Sequence, residues 1–383
     1  MNGPDNLLES PIKPAPLPEV RNHTAFPSQY FQMVDVAGQI FHVMVSRLTY
    51  TLRKVDAEGC LLLADCQHPL VASDTFYGEP NLSSVLQESD YAPFKPRCDL
   101  LFNHAVAHAP NGEPRPSWAV GIKVGEWVKR IVVTGPRQFV RDGEGWHLSE
   151  PEPVATIPIR YELAWGGTCT WPPTPPDGVP IEPQILAREA RNPIGCGFLD
   201  PDWDARVQSP CRPAPRLESF GRPFDEAAAE AGDHPVVGLG ALGRWWQPRL
   251  ALAGTYDDHW KKTRWPGLPE DFDFGYWNCA PEDQQIDYPE GGERVVLAGL
   301  HPGGEVRFRL PRPDLKLLLH LEAGVPLFKP LVTDTLIFDF QAYELSVVQR
   351  AVVAAAAGVE LMELGTWDVE AARRANAAIQ KGQ

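Results

Sequence analysis

The feature that most constrains this chain is its supply of turn-forming residues: 40 prolines and 32 glycines among 383 residues. Proline fixes one backbone angle and lacks an amide hydrogen, and both residue types are unfavourable inside helices but common in turns. Because 43% of the residues are hydrophobic, the chain can still fill a sizeable core. The sequence therefore predicts many short strands joined by turns and ordered loops, with few short helices.

Segments with the character of strands fall into two blocks. Residues 31–160 contain runs of β-branched and aromatic residues separated by Asp-Gly and Gly-Glu-Gly turns, which favour antiparallel hairpins. The same texture returns over residues 286–350. This density of short strands predicts a mainly β domain over residues 31–350, built from antiparallel, sandwich-like sheets.

Between the two strand blocks, residues 161–285 are rich in proline and hold eight of the twelve tryptophans. So many aromatic residues would not be left in water, which predicts an ordered loop layer attached to the sheets. Within this layer, EPQILAREARN and PFDEAAAEAG are predicted to be helical. Residues 1–30 are predicted to form an extended N-terminal arm, and residues 351–383 a partly helical C-terminal tail.

The charge and the cysteines limit the compartment and the partners. A formal net charge of −15 disfavours direct contact with nucleic acid or a membrane. It suits a partner with a basic face, but solubility alone is the more common reason for an acidic cytoplasmic protein. The seven cysteines show no zinc-knuckle or redox spacing, which favours reduced thiols. The N-terminus lacks the pattern of a signal peptide, and no apolar run has the length of a membrane span. We therefore expect a cytoplasmic protein without a cofactor.

Two groups of residues offer possible chemistry. His104 and His108 are spaced to share one face of a strand, but no spacing marks the third ligand that a zinc site would need. In EDFDFGYWNCAPEDQQ, carboxylates that include Asp273 and Asp283 stand among aromatic residues, as in a glycosidase. Acidic residues in such loops more often cap turns. GLGALG at 238–243 is interpreted as a turn, and no nucleotide-binding or hydrolase motif is present.

Longer phrases occur along the chain in a fixed order: DTFYGEPNLSSVLQESDYAPFKPRCDLLFNHAVAHAPNG, PIRYELAWGG, RNPIGCGF, WWQPRLALAGTYDDHWKKTRWPGLPEDFDFGYWNCAPEDQQ, GGERVVLAGLHPGGEVRFRLP and VTDTLIFD. Across residues 35–350, this set resembles a bacterial family catalogued as a domain of unknown function and encoded beside type VI secretion genes. The resemblance implies a non-enzymatic adaptor or chaperone. Such a protein binds an effector toxin and assists its loading onto the VgrG spike, often with a PAAR tip protein.

The chain departs from the family's usual phrases at two places. Leu163 and Trp165 stand within a phrase that often reads Tyr-Glu-Arg-Ala-Phe-Gly-Gly. Gln349 precedes Arg350 where the family often has a Trp-Arg pair. The first change exchanges bulky side chains and is expected to be accommodated by packing, whereas the second removes an aromatic residue near the end of the resemblance.

No motif marks the residues that would contact a partner. Tryptophan is frequent among interface anchors, and four tryptophans of the loop layer are candidates for partner binding: Trp171, Trp203, Trp245 and Trp246. For the adjacent Trp245 and Trp246, anchoring in the core is the favoured alternative. Two other functions stay open. One is an enzyme that acts on carbohydrate or another polar substrate through Asp273 and Asp283, and the other is a structural component of the secreted spike.

Overall fold

The computed structural model describes residues 16–143, 145–171, 184–225, 234–322 and 324–368. The first strands in chain order are β1 Glu19–Asn22, β2 Ser28–Val34, β3 Ile40–Val55, β4 Leu61–Leu63, β5 Thr75–Phe76, β6 Val85–Gln87, β7 Cys98–Asn103, β8 Val106–His108, β9 Ser117–Val124, β10 Trp127–Thr134, β11 Gln138–Asp142, β12 Gly145–Leu148 and β13 Thr156–Pro158. The loop layer contains β14 Trp165–Gly166, β15 Thr168–Trp171, β16 Gln184–Arg188, β17 Cys196–Gly197, α1 Pro201–Val207, β18 Cys211–Pro213, β19 Leu217–Ser219, α2 Asp258–Thr263 and β20 Gln285–Ile286.

The remaining strands return the chain to the sheets. They are β21 Arg294–His301, β22 Gly304–Arg309, β23 Lys316–Leu321, β24 Leu327–Pro330, β25 Val332–Asp339, β26 Glu344–Ala354 and β27 Val359–Gly365. Short 3-10 helices lie at Pro110–Gly112, Tyr161–Leu163, Arg249–Ala253, Phe274–Trp277, Glu282–Gln284 and Ala355–Ala357. No helix in these described residues is long and apolar enough to cross a bilayer.

The largest sheet has the strand order β2-β3-β26-β25-β7-β20, with β4 also paired to β3. Its longest strand is β3, with 16 residues, in which every position from Phe41 to Tyr50 is buried. A strand that is covered on both faces contains a nearly continuous apolar run, and the prediction of a buried strand here is confirmed. Most neighbours pair antiparallel, whereas β25 and β7 run parallel.

Two further sheets complete the core. A five-stranded sheet has the order β19-β10-β9-β21-β22, and a four-stranded sheet has the order β1-β27-β23-β24. Buried and exposed residues alternate along β9, so one face of the five-stranded sheet is covered. Side chains from all three sheets, among them Phe102, Val120 and Leu317, lie in one hydrophobic core. The predicted mainly β, antiparallel and sandwich-like fold is confirmed.

Both ends of the described chain enter the four-stranded sheet. β1 lies in the predicted N-terminal arm and pairs in parallel with β27. The fold continues past residue 350, where the sequence predicted a separate tail, because Met362 and Leu364 of β27 are buried in the core. The helix predicted at the end of the tail falls almost entirely on residues 369–383, which lie outside the described residues.

The loop layer corrects one secondary-structure prediction. EPQILAREARN was predicted to be helical, but it contains β16, in which Ile185 lies opposite Thr170 of β15. Helix propensity is a weak preference that pairing with a neighbouring strand overrides. Most of PFDEAAAEAG lies outside the described residues.

Glu363 of β27 connects the N-terminal arm to the sheet. Its carboxylate oxygens are hydrogen-bonded to His23 Nε2 at 3.0 Å and to His320 Nε2 at 2.8 Å. These two hydrogen bonds lower the pKa of Glu363 below its ordinary value. A carboxyl group whose pKa is lowered by folding stabilises the fold above its unfolded pKa, and this stabilisation is lost as the pH falls through the folded pKa.

We expect Glu363→Gln to weaken the docking of the arm near neutral pH by up to about 1 kcal/mol, because it removes a partly exposed charged pair. The difference from the wild type should disappear in acid, where Glu363 itself becomes protonated. Amide hydrogen exchange of residues 19–22, measured between about pH 7 and about pH 3, tests this expectation. Glu19→Gln is the control, since Glu19 pairs only with Arg21 on the exposed side of β1. Equal loss of protection in both variants would contradict the role given to Glu363.

Candidate protein-binding surface

The acidic residues of the proposed catalytic cluster hold the loop layer in place. Asp273 caps the 3-10 helix that follows it, and its Oδ1 accepts a hydrogen bond of 2.7 Å from the backbone N–H of Gly275. Asp271 accepts hydrogen bonds from the backbone N–H and the hydroxyl of Thr255, and these lower the pKa of Asp271. Both carboxylates therefore act on their own loop, as acidic residues in proline-rich segments often do.

Asp283 is attached to a different part of the fold. Its carboxylate lies 2.8 Å from Nζ of Lys129 on β10, and its carbonyl oxygen accepts a hydrogen bond of 2.6 Å from Trp127 Nε1. Burial lowers the pKa of Lys129, and the charge of Asp283 opposes that effect. Within the described residues, no hydrogen bond or ion pair joins Asp273 to Asp283. Asp273 therefore caps its own loop, whereas Asp283 attaches the loop layer to β10.

The two histidines of the possible zinc site do not share a strand face. His104 lies at the turn after β7 with a φ of 53°, and its Nδ1 lies 3.2 Å from Asp339. His108 lies in β8, and burial lowers the pKa of its imidazole. The turn between the strands breaks the alternation on which the spacing argument depended. In the part of the chain that the structure describes, no group of three or more His, Cys, Asp or Glu residues is arranged to hold a metal ion.

Ion pairs inside the protein were not predicted from the sequence. Four of them join side chains that are each at most 7% exposed: Arg47 with Asp90, Lys95 with Asp99, Arg249 with Glu88, and Arg350 with Asp334. A buried charge is tolerated when it is paired and hydrogen-bonded. Two of the pairs, Arg47 with Asp90 and Lys95 with Asp99, attach residues 90–95 to the largest sheet, and Arg249 with Glu88 attaches the loop layer to the same segment. Because each pair joins one cation to one anion, the four pairs add no net charge.

The four candidate tryptophans differ in their surroundings. Trp171 ends β15 with 39% of its surface exposed. Trp203 on α1 is partly buried and donates a hydrogen bond of 2.7 Å to the carbonyl of Thr170, which brings it close to Trp171. Trp245 is partly buried and donates a hydrogen bond of 3.0 Å to Asn81 Oδ1. The structure thus places Trp171 and Trp203 at one hairpin and Trp245 against another segment.

Trp246 was a candidate for partner binding with core anchoring as the alternative, and the structure contradicts the first and supports the second. Its side chain is only 1% exposed and packs edge-to-face against Tyr161 with ring centroids 5.4 Å apart. Large aromatic rings contribute most to a core when they are fully removed from water. Trp246 therefore anchors the loop layer and presents no surface to a partner.

Exposed aromatic rings cluster around α2, and we call Tyr256, Trp260 and Trp265 the aromatic platform. Ring centroids lie 4.7 Å apart for Tyr256 and Trp260, and 5.6 Å apart for Trp260 and Trp265. Trp265 is 62% exposed and Tyr256 is 50% exposed. Asp257 caps α2 by accepting a hydrogen bond of 2.8 Å from Trp260 N, and Trp260 Nε1 donates to the carbonyl of Gly267 at 2.9 Å. Fixed, exposed Trp and Tyr rings are typical anchors of protein interfaces.

Sequence reasoning did not select the aromatic platform. Trp260 and Trp265 were counted among the aromatic residues of the loop layer, but nothing in the sequence ranked their exposure above that of Trp246. The available signal was local: Asp257 is a typical helix N-cap, and Trp-Pro-Gly at 265–267 is a typical turn. These signals predict a compact loop, whereas exposure depends on contacts with distant segments.

Sandwich-like antiparallel sheets, with a loop layer held by buried ion pairs and aromatic rings, place this chain among the multi-sheet β proteins. Within that class, the chain belongs to the family described as an uncharacterized protein conserved in bacteria (DUF2169), whose family model matches residues 37–350. The match includes the aromatic platform and all four buried ion pairs named above. The resemblance to a bacterial domain of unknown function is thereby confirmed at the level of the family. No curated protein and no solved structure matches the chain.

Proposed function

We propose that this protein is a cytoplasmic, non-enzymatic adaptor that binds a type VI secretion effector and assists its loading onto the VgrG and PAAR spike. The observation that carries the binding role is the aromatic platform, where Tyr256 and Trp265 are exposed yet held by neighbouring rings. The ordered sequence phrases support the identity of the partner. The engagement of Asp271, Asp273 and Asp283 in holding loops favours binding over catalysis.

The aromatic platform is suited to binding because its side chains lose little conformational entropy when a partner binds. A side chain that binds a partner loses conformational freedom, and Tyr and Trp have few rotatable bonds for the area they bury. Trp260 is further restrained by its hydrogen bond to Gly267. When residues of this kind at the centre of an interface are replaced by alanine, each typically costs about 2 kcal/mol or more of binding free energy. The net charge of −15 adds long-range attraction for a basic cargo.

Co-purification tests the function. The full chain, produced together with the effector, VgrG and PAAR proteins encoded beside its gene, should retain at least the effector through size-exclusion chromatography. A failure to retain any of the three would contradict the proposal. Fractionation of secreting cells adds a second criterion: an adaptor stays in the cytoplasm, whereas a structural component of the spike is found in the secreted fraction.

The double variant Tyr256→Ala with Trp265→Ala is expected to weaken effector binding by about a hundredfold or more, because it removes two anchor rings. Isothermal titration calorimetry measures the change. Trp171→Ala is the matched control, since it removes an exposed tryptophan that is not part of the aromatic platform. Unchanged binding by the double variant, together with loss of binding by Trp171→Ala, would transfer the contact to the hairpin of β15 and β16.

A further inference from the structure

An apolar cleft lies between the five-stranded sheet and one end of the seven-stranded sheet. It has a volume of about 380 Å³. Its walls come from β21 and β22, the end of β3 and the turn between β25 and β26. Six of the lining side chains are apolar or aromatic (Leu52, Leu297, Val306, Phe308, Phe340 and Tyr343), and two are polar (Arg53 and His301). We call this cleft the β22 groove. Its size and lining suit one or two apolar side chains.

The groove borders an open strand edge. β22 is the last strand of its sheet and pairs only with β21 inside that sheet. The backbone N–H of Arg309 points away from β21, because it donates a hydrogen bond of 2.8 Å to the carbonyl of Gly59. Backbone groups alternate in direction along a strand of an antiparallel pair. The N–H and C=O groups of Glu305 and Arg307 therefore also point outward, and no other described residue accepts or donates there.

The opposite face of the same sheet is basic. On the exposed face of β9, β10, β21 and β22 lie five cations: Lys123, Arg130, Arg294, Arg307 and Arg309. The only anion on that face of these four described strands is Glu305. Lys123, Arg130 and Arg294 form no ion pair within the described residues. This local excess of positive charge is opposite in sign to the net charge of the chain.

Arg53 supplies one more cation at the groove itself. Its guanidinium lies 5.0 Å from the centroid of the Tyr343 ring and donates a hydrogen bond of 3.1 Å to the carbonyl of Ala342. No carboxylate of the described residues pairs with it. A ligand in the groove would therefore meet mainly apolar walls, the imidazole of His301, and the guanidinium of Arg53, which no carboxylate of the described residues neutralises.

We propose that the β22 groove binds an extended peptide segment in which large apolar residues alternate with acidic residues. The segment adds a strand to the open edge of β22 and hydrogen-bonds to the backbone of Glu305 and Arg307. Because side chains alternate across a strand, one set enters the groove beside Val306 and Phe308, and the other lies over the basic face beside Arg307. The proposal rests on the proposed adaptor function, for which it specifies the chemistry of the bound cargo segment.

An extended peptide is favoured over nucleic acid because the ligand must contact both the mainly apolar groove and the basic exposed face of the sheet. Phosphate groups would satisfy the cations of the exposed face, but they would be poorly solvated against the apolar walls of the groove. A strand with alternating side chains satisfies both surfaces and the open backbone groups at once. The open part of β22 is short, since the bond from Arg309 to Gly59 closes its far end. The bound segment therefore spans only a few residues.

Synthetic peptides provide the direct test, with fluorescence anisotropy on the full chain at low salt. The probe is a fluorescein-labelled peptide that reads Glu-Leu-Glu-Phe-Glu. One control has the same composition in blocks, Glu-Glu-Glu-Leu-Phe, and the other replaces every glutamate with lysine. The alternating acidic peptide should bind at least about tenfold more tightly than either control, and its binding should weaken as salt screens the cations. Equal binding of the block peptide, or of a single-stranded oligonucleotide, would overturn the proposal.

Variants of Arg307 separate the backbone contact from the charge. Arg307→Pro removes an outward N–H without removing a hydrogen bond to β21, so the sheet should persist. The Arg307→Pro variant should bind the peptide about tenfold more weakly than the Arg307→Ala variant, which loses the same charge but keeps the N–H. Lys123→Glu combined with Arg294→Glu should weaken binding while the backbone is unchanged. Circular dichroism verifies folding of each variant, and equal binding by Arg307→Pro and Arg307→Ala would contradict strand addition.

These results are separable from a failure of the adaptor function. If the effector is retained by the wild type but the alternating peptide does not bind, the groove is wrong and the function stands. If the alternating peptide binds selectively but no effector, VgrG or PAAR protein is retained, the groove stands and the adaptor function is wrong.

Discussion

Asp99→Ala is expected to lower the free energy of unfolding by about 3–5 kcal/mol, the usual loss when one partner of a buried ion pair is removed. Asp99 lies fully buried on β7, and its Oδ2 is 2.7 Å from Nζ of Lys95. Burial alone would lower the pKa of Lys95, but the charge of Asp99 raises it above its ordinary value. Without Asp99, the ammonium group of Lys95 would be buried without its strongest partner.

Asp99 also attaches the loop layer to the sheet. Its carboxylate accepts hydrogen bonds from Asn278 Nδ2 at 3.0 Å, from Cys279 N at 3.0 Å and from Ala280 N at 3.2 Å. Each of these donors is buried, so each would be left unsatisfied or exposed to water by the substitution. The substitution should therefore destabilise the loop at residues 278–280 as well as strand β7.

Urea unfolding of the purified chain measures the effect of Asp99→Ala. Glu58→Ala is the control, because it removes one partner of an exposed ion pair with Arg312 and should cost less than about 1 kcal/mol. The double variant Lys95→Met with Asp99→Leu should recover part of the loss, since it removes the unpaired charge but leaves the loop donors without an acceptor. Similar losses for Asp99→Ala and Glu58→Ala would show that the buried pair is not a main support of the fold.

The parts of the fold that could be predicted are those with a local signature. β3 is buried on both faces and therefore has a long apolar run, and β9 is covered on one face and therefore alternates. Two of the four buried ion pairs have no such signature, because their partners are far apart in sequence. Arg47 and Asp90 are separated by 43 positions, and Arg249 and Glu88 by 161. Single charged residues in a sequence do not show which partner they meet.

The phrase GLGALG also makes contacts in the folded chain that no local sequence pattern predicts. The sequence identified it as a turn rather than a dinucleotide-binding motif. The structure gives the reason for two of its glycines: a Cβ at Gly238 would lie 2.3 Å from the ring of Tyr161, and one at Gly243 would lie 2.7 Å from Trp246 Nε1. Two aromatic rings pack directly on this backbone. The rings lie close to these glycines only in the folded chain, so no local pattern predicts the contact.

The exposure of each tryptophan also depends on packing against segments that come together only in the folded chain. Trp245 and Trp246 are neighbours in sequence, yet Trp245 is partly exposed and Trp246 is enclosed. The two rings contact each other nearly perpendicularly, and only the surrounding layer decides which of them is enclosed in the core. Composition could count aromatic anchors in the loop layer, but it could not divide them into core and surface.

This division leads to the second large effect: Trp246→Ala is expected to lower the free energy of unfolding by about 3–5 kcal/mol, as for other fully buried aromatic residues. The loss has two causes, since the indole leaves a cavity and Tyr161 loses the ring against which it packs. Trp265→Ala removes the same side chain from a position that is 62% exposed, so it should change stability by less than about 0.5 kcal/mol.

Thermal unfolding and effector binding, measured on both variants, should therefore distinguish the residue that stabilises the fold from the residue that binds the effector. Trp246→Ala should unfold at a much lower temperature, whereas Trp265→Ala should keep its stability and bind the effector more weakly. The opposite assignment would place Trp246 at the binding surface and would remove the aromatic platform as the basis for the adaptor function.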